Sequence, residues 1–278
     1  MGCYTVCVLR LLASVLAVSA LAAIAVTGGT SATGHRFYAL NDDTDSVSSN
    51  WSGYALEPQA GTDLQFTSVT GTWTQPKATC SNGSEAASAF WVGLGGETDA
   101  STSLEQTGTS ADCDANGNPH YYAWYELLPA ASVQVPLKVK PGDLITTSVN
   151  VNGTNVLIQI KNRTRKTVFT KSLTMDAPDL TSAEWVAEAP SSCNSSGTRC
   201  TVLPLANFGT VTFTKAATIA STHPGTISDP TWSRVSIRLV PQGGQFGRFA
   251  DSTAGALPGA IAADGRGFPV TWISNASA

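Results

Sequence analysis

Residues 144–160 read LITTSVNVNGTNVLIQI, and this stretch indicates how the chain folds. It holds two short β segments on either side of the dipeptide Asn152-Gly153. Because both residues of an Asn-Gly pair tolerate a positive φ, the dipeptide predicts a tight type I′ hairpin between antiparallel strands. Pro141-Gly142-Asp143, just before the first segment, predicts another turn. The stretch therefore predicts an antiparallel sheet.

Short β segments separated by turn residues recur along the chain, about eleven of them after residue 49 with these two included. No stretch keeps a helical period. The 278 residues include 25 Gly and 14 Pro, and 42% are hydrophobic, which favours a compact β domain over a disordered chain or a helical bundle. The sequence thus predicts an all-β fold: one two-sheet antiparallel β-sandwich or jelly roll over residues 50–278.

The chain is unusually poor in charge. Only 13% of its residues are charged, about half the roughly 25% typical of soluble proteins, and its formal net charge is −4. One small basic cluster, KNRTRK, lies at residues 161–166. This pattern offers little to hold a phosphate backbone, so we expect no nucleic-acid partner.

The first 32 residues predict a secretory signal peptide. An apolar run at 11–26 is followed by a small-residue site at Thr30-Ser31-Ala32. The run is shorter than the roughly 20 residues that span a bilayer. Residues 33–49 are polar and aperiodic, which predicts a propeptide or a flexible N-terminal arm. We therefore expect a secreted, extracellular monomer that has no membrane attachment after signal cleavage.

The cysteines agree with export. Four remain after the predicted signal peptide: Cys80, Cys113, Cys193 and Cys200. An even set in an oxidising compartment indicates disulfides. Cys193 and Cys200 bracket a short polar loop, so we pair them with each other and Cys80 with Cys113. The three histidines are scattered, without HExxH or CxxC motifs, and we expect no metal and no cofactor.

Common catalytic motifs are missing from the sequence. It contains no G-x-S-x-G elbow, no Asp-Thr-Gly or Asp-Ser-Gly, and no nucleotide-binding glycine loop after a strand. The remaining candidates are carboxylates, amides and aromatic residues on strands. In the segment YYAWYE, the two-residue period of a strand puts Tyr122, Trp124 and Glu126 on one face.

The segment AEWVAEAP at residues 183–190 places two acids, Glu184 and Glu188, on one face of a strand. Two acids are costly on a dry core face, so we expect them to face a solvated groove or a partner, with Glu184 as a candidate substrate-binding residue. The residues alone thus predict a secreted β-sandwich with an acidic, aromatic cleft.

Two alternatives fit such a cleft. A retaining glycoside hydrolase needs two carboxyl groups about 5 to 5.5 Å apart, which Glu126 and Glu188 could supply. Glu184 and Glu188 cannot, because four residues along one strand separate them by roughly 13 Å. The non-enzymatic alternative is a lectin-like carbohydrate-binding module.

Six motifs then carry a family resemblance. They are NWSGY (50–54), GTWTQP (71–76), FWVGLGG (90–96), LEQTG (104–108), AWYE (123–126) and AEWVAE (183–188). In order and spacing they resemble the eqolisins, the glutamic peptidases secreted by fungi and also found in bacteria, from about residue 50 to the C-terminus. Gly95 stands where fungal members commonly have Asp, and Ala189-Pro190 follows the second glutamate, as in bacterial members.

The resemblance implies a legume-lectin-like sandwich with the active site on its concave sheet. It implies that the catalytic pair is Gln106, from the L-x-Q-T-G motif, and Glu188, which ends the A-E-[FW]-x-x-E motif. The positions that line the family's cleft match Trp51, Trp91, Trp124 and Glu126. The implied activity is endopeptidase cleavage of polypeptide substrates.

Peptide hydrolysis requires a base for water, a donor for the oxyanion and an acid for the leaving amine. We expect Glu188, as a carboxylate, to activate water and return the proton to the amine, while the amide of Gln106 donates to the oxyanion. A carboxyl with a pKa of about 4 to 5 predicts an acidic optimum. Because an amide replaces the second carboxylate, pepstatin, which mimics the transition state of a two-Asp site, should inhibit poorly.

Overall fold

The computed structural model describes residues 43–97, 101, 103–193, 200–240 and 254–274, with the side chains of 43, 44 and 193 left out. All regular elements in these residues are strands. The predicted signal peptide lies outside the described residues. Within the described ranges, no helix is long and apolar enough to cross a membrane.

The described strands, in chain order, pair mainly with antiparallel neighbours. They are β1 (Asp43–Ser48), β2 (Trp51–Pro58), β3 (Phe66–Thr74), β4 (Ala89–Leu94), β5 (Glu105–Cys113), β6 (Pro119–Leu127), β7 (Val133–Val135), β8 (Leu144–Asn152), β9 (Asn155–Asn162), β10 (Thr167–Thr174), β11 (Ala183–Glu188), β12 (Ser191–Cys193), β13 (Cys200–Val202), β14 (Thr210–Ala220), β15 (His223–Gly225), β16 (Trp232–Leu239), β17 (Ala254–Pro258) and β18 (Phe268–Ser274). The hydrogen-bonded order is β10-β9-β8-β3-β14-β18-β17-β16-β2-β11-β4-β5-β6-β7. Strands β12 and β13 form a separate pair.

Strand β14 joins the two layers of the fold. Residues 210–213 pair with β18, whereas Thr214 and the residues from Ala217 onward pair with β3. The register against β3 shifts between Thr214 and Ala217, where Lys215 has a φ of 52°. Such an irregularity bends a strand and lets it pass from one sheet to the next. The predicted all-β, two-sheet antiparallel sandwich is confirmed.

Side chains of the two layers divide between two faces. The main core between the layers includes Trp73, Phe90 and Trp185. Alternate side chains point the other way and form a second apolar cluster that includes Trp91 and Val186. This division follows from the two-residue period of strands. The second cluster marks the face that carries the candidate site.

The predicted hairpin after β8 is confirmed, but its turn type is wrong. Asn152 pairs with Asn155, so Gly153 and Thr154 form the loop. Gly153 has a φ of 59°, and Thr154 has no positive φ. A glycine with positive φ at the first loop position is typical of a type II′ turn rather than type I′.

Part of the segment expected to be a propeptide or flexible arm is a strand. β1 pairs in parallel with β16, from Asp43 opposite Arg234 to Ser48 opposite Leu239. Residues 43–48 therefore belong to the sheet. Cleavage within residues 33–49 stays a prediction.

The structure describes one of the two predicted disulfides completely. Cys80 and Cys113 are bonded, with their Cα atoms 5.4 Å apart. Cys193 lies opposite Cys200 in the β12–β13 pair, and Cys200 is disulfide-bonded. The side chain of Cys193 and the loop after it lie outside the described residues, so their pairing stays a prediction.

Candidate active site

The candidate site lies on the outward face of neighbouring strands β2, β11, β4, β5 and β6. Glu188, at the end of β11, pairs with Trp51 on β2. Gln106 on β5 lies between Gly93 on β4 and Glu126 on β6. Antiparallel pairing and the strand period put these side chains on one face. The predicted catalytic residues therefore share a face, on strands separated only by β4.

Glu188 is a fully buried carboxyl group with a donor on each oxygen. Asn50 Nδ2 donates to Oε1 at 3.1 Å, and Trp91 Nε1 donates to Oε2 at 2.7 Å. Burial raises the pKa of Glu188 to about 8, against the lowering effect of hydrogen bonds from Trp91, Trp51 and Asn50. The expected pKa of about 4 to 5 is therefore wrong, because the carboxyl lies in a dry site and keeps its proton in acid.

Asn50 is a site residue to which the sequence assigned no role. Its side-chain oxygen Oδ1 accepts a hydrogen bond from Ser48 Oγ at 3.2 Å, and its Nδ2 faces Glu188. The same Ser48 hydroxyl accepts the backbone N–H groups of Asn50 and Trp51, at 3.3 and 3.1 Å. An asparagine before a tryptophan carries no chemical signal in the sequence, so only the structure identifies it.

Gln106 and Glu126 form a cross-strand pair. Gln106 Nε2 donates to Glu126 Oε2 at 2.7 Å, and both residues are buried. Burial, and then the charge of Glu188, raise the pKa of Glu126 to about 9, partly offset by the Gln106 hydrogen bond. Gln106 Oε1 is buried and accepts no hydrogen bond from the described residues. Glu126 thus fixes the amide so that its oxygen is left for another donor.

Gly93 gives Gln106 its space. A Cβ at Gly93 would come within 2.9 Å of a ring carbon of Trp91, 3.0 Å of a Leu104 methyl carbon and 3.3 Å of Gln106 Cβ. Any larger residue would therefore displace the neighbours of the amide. The glycine was visible in the FWVGLGG motif, but its role depends on the register of β4 against β5.

The tryptophans predicted to line the cleft pack around these polar groups. The rings of Trp51 and Trp91 meet edge to face, with centroids 4.9 Å apart, and Trp124 belongs to the same cluster. All three are buried. Their rings supply the apolar surroundings that raise the pKa of Glu188.

Glu184 lies on the same face of β11 as Glu188, but its charged neighbours are other acids. It is buried, which raises its pKa well above the ordinary value, and Glu97, Asp179 and Glu105 add to the rise. Among the described residues, neither oxygen of Glu184 has a hydrogen bond of normal geometry, although the Ser182 hydroxyl offsets part of the rise. Burial likewise raises the pKa of Glu105 to about 8.

The expected solvated groove is therefore wrong for both acids of β11. Glu184 and Glu188 are each 0% exposed. Packing between neighbouring strands, which the strand pattern does not specify, removes both carboxyl groups from water. Within the described residues, no three His, Cys, Asp or Glu side chains are grouped so that they could hold a metal ion.

Known proteins resemble this chain over most of its length. A sequence model of the Peptidase A4 family matches residues 49–242. Scytalidopepsin B of Scytalidium lignicola is 32% identical over 207 residues, which are 72% of this chain and 75% of that protein. These matches give no support to a glycoside hydrolase or a lectin-like module.

Solved structures agree with this match. The fold is similar to that of scytalido-glutamic peptidase with a transition state analog inhibitor, with a TM-score of 0.64 and 25% identity over 81% of this chain and 98% of that chain. It is also similar to that of SCP-B, an eqolisin in complex with the tripeptide Ala-Ile-His, with a TM-score of 0.61 and 23% identity over the same shares. The chain therefore belongs to the Peptidase A4 family, the eqolisins, which are glutamic peptidases that hydrolyse peptide bonds.

Proposed function

We propose that this protein is a secreted acid endopeptidase in which Glu188 and Gln106 are the catalytic pair. The observation that carries the proposal is a buried carboxyl with a donor on each oxygen, on the same sheet face as an amide whose oxygen accepts no bond from the described residues. Family membership supports the reaction class. The apolar run at residues 11–26 supports secretion.

The pKa of Glu188, raised to about 8, sets the order of proton transfers. In acid, Glu188 begins as the protonated form and gives its proton to the carbonyl oxygen of the scissile bond while water adds to the carbonyl carbon. The resulting carboxylate is stabilised by the N–H groups of Asn50 and Trp91. It then takes a proton from the added water, which leaves a neutral tetrahedral intermediate and protonated Glu188.

The second half of the reaction repeats the cycle. Glu188 gives its proton to the amide nitrogen, and the C–N bond breaks to release an amine and a protonated carboxylic acid. Glu188 takes back the excess proton from that acid and is ready for another substrate. This order differs from the expectation that Glu188 starts as a carboxylate base, and the raised pKa of Glu188 favours the protonated start.

Gln106 has both kinds of group that the first step needs. One amide N–H is bonded to Glu126, and the second remains to donate to the carbonyl oxygen of the scissile bond while that oxygen takes the proton of Glu188. Its Oε1 is available to accept a hydrogen bond from the attacking water. The orientation that Glu126 imposes therefore matches the roles proposed for the amide.

The proposed substrates are polypeptides. The resemblance assigns Trp51, Trp91 and Trp124 to the cleft that binds them, and these three residues form one apolar cluster on the face that carries the pair. We propose that pepstatin inhibits poorly, because a site with an amide in place of the second carboxyl lacks the shared proton that this inhibitor mimics.

Cleavage of a denatured protein in acid, with and without pepstatin, tests the proposal. We expect cleavage that pepstatin does not abolish, no activity on glycans, and inactive Glu188→Gln and Gln106→Ala variants with wild-type circular dichroism. Either variant cleaving at the wild-type rate while folded would remove the catalytic assignment. Cleavage of glycans but not of protein would remove the peptidase assignment.

A further inference from the structure

Strand β1 ends next to the residue that holds Glu188. Ser48, its last residue, is 3% exposed, and its hydroxyl bonds to the side-chain oxygen of Asn50. Asn50 Nδ2 in turn donates to Glu188 Oε1. We propose that Ser48 is a positioning residue of the active site, so that the active enzyme retains Ser48, the last residue of strand β1. The inference rests on the proposed catalytic role of Glu188.

The hydroxyl of Ser48 decides which way the Asn50 amide faces. An asparagine side chain has an oxygen at one corner and an NH₂ group at the other, and rotation by 180° exchanges them. Because Ser48 Oγ donates to Oδ1, the NH₂ group faces Glu188. A rotated amide would present its oxygen to the carboxylate that forms during catalysis, so it would repel the charge it now stabilises.

Backbone hydrogen bonds hold both Ser48 and Asn50 in place. The carbonyl of Ser48 accepts the backbone N–H of Val240 at 3.1 Å, which continues the pairing of β1 with β16. The carbonyl of Asn50 accepts the N–H of Ala189 at 2.8 Å, directly after Glu188. The segment from Ser48 to Asn50 therefore connects strand β16 with the end of β11 through backbone hydrogen bonds.

This arrangement bears on maturation. A propeptide that extended through residue 49 would take the Ser48 hydroxyl with it and leave Asn50 free to rotate. The positioning role thus requires a mature N-terminus at or before Ser48. Cleavage within the earlier part of residues 33–49 is compatible with it.

Ser48→Ala tests the role directly, with Ser46→Ala as the matched control on the same strand. Losing one buried hydrogen bond should lower kcat by about three- to tenfold. We expect KM to stay within about twofold. Because the Asn50 hydrogen bond lowers the pKa of Glu188, the alkaline limb of kcat/KM should also move to higher pH. A purely structural role would not move that limb.

Ser48→Thr keeps the hydroxyl, so its kcat and pH profile should match those of the wild-type enzyme. This variant tests the proposal even if Ser48→Ala is too unstable to assay. Wild-type kcat and pH profile in folded Ser48→Ala, or a folded Ser48→Thr enzyme without activity, would overturn the proposal. If Glu188→Gln is inactive in the same assay, such a result removes only the role of Ser48. If Glu188→Gln is active, the catalytic assignment itself fails.

N-terminal sequencing of the active secreted protein is a second test of whether Ser48 is retained. We expect the first residue at or before Ser48. A fully active form that begins at Ser49 or later would show that the Ser48 hydroxyl is dispensable.

Discussion

The two ends of strand β11 carry the same side chain on the same face, yet their surroundings differ. Glu188 accepts N–H groups on both oxygens, whereas Glu184 has carboxyl groups as its charged neighbours. Burial raises the pKa of both. Of the two, only Glu188 has an N–H donor on each oxygen among the described residues, whereas Glu184 has the Ser182 hydroxyl, so Glu188 is the better suited to lose and regain a proton during a reaction. Burial holds the proton, and the donors make it transferable.

The largest difference is expected between Glu188→Gln and Glu184→Gln, a matched pair on one strand. Glu188→Gln should lower kcat/KM by about a thousandfold or more, because the amide cannot donate and regain the proton. Glu184→Gln should keep kcat within a few-fold. Steady-state cleavage of a peptide in acid measures both, and equal losses would erase the distinction between the two ends. A change confined to KM in Glu184→Gln would favour its predicted contact with substrate.

The buried carboxyl groups with raised pKa values, which include Glu105 beside Glu184 and Glu188 at the other end of β11, should govern how stability depends on pH. A buried carboxyl with a raised pKa binds its proton more tightly in the folded state, so its stability is fully present below the unfolded pKa of about 4.5 and is lost as pH rises toward about 8. The free energy of unfolding of the wild-type protein should therefore decrease as pH rises from about 4.5 to about 8. Asp114, whose pKa is lowered to about 2, acts only in a lower window.

Urea unfolding at pH 4, 6 and 8 measures this slope. Glu105→Gln should reduce it by on the order of 1 kcal/mol per pH unit, since one fewer proton is released. Glu85 is exposed, and Glu85→Gln is the matched control that should leave the slope unchanged. A wild-type protein that grows more stable as pH rises from 4 to 8 would contradict the raised pKa values of these buried carboxyl groups.

Glu126→Ala should weaken the site without abolishing the chemistry. It frees the Gln106 amide from its 2.7 Å hydrogen bond, and misplacement of a catalytic group costs roughly 10- to 100-fold in kcat. Single-turnover cleavage measures the loss. An unchanged rate would mean that Gln106 is held by its strand alone, and an effect as large as that of Glu188→Gln would give Glu126 a direct part in proton transfer.

The smallest effect is expected from Trp91→Phe, which keeps an aromatic ring but removes the N–H that donates to Glu188 Oε2. We expect a loss of about three- to tenfold in kcat. Because that hydrogen bond lowers the pKa of Glu188, the alkaline limb of kcat/KM should move to higher pH. Trp73→Phe is the control, since Trp73 lies in the main core and donates to Thr109 instead. A larger shift in the control would indicate a general loss of packing.

Much of the site was predictable from motifs. The strand period placed Glu126 with Trp124, and Glu184 with Glu188, on common faces, as the structure has them. The ionisation of these acids was not predictable, because it depends on how completely aromatic residues from neighbouring strands exclude water. The roles of Asn50 and Ser48 were not predictable either, because they depend on hydrogen bonds that no sequence motif indicates.

The sequence by itself determined the class of fold, the presence of a hairpin after β8 and the family, because strand period, turn residues and ordered motifs are local properties. Only the tertiary structure decided that residues 43–48 join the sheet, and that two glutamates four residues apart meet such different neighbours. Hydrogen-bond partners and exclusion of water come from strands far apart in the chain, and strand register brings them together. Local patterns therefore set which residues share a face, and packing sets what those residues can do.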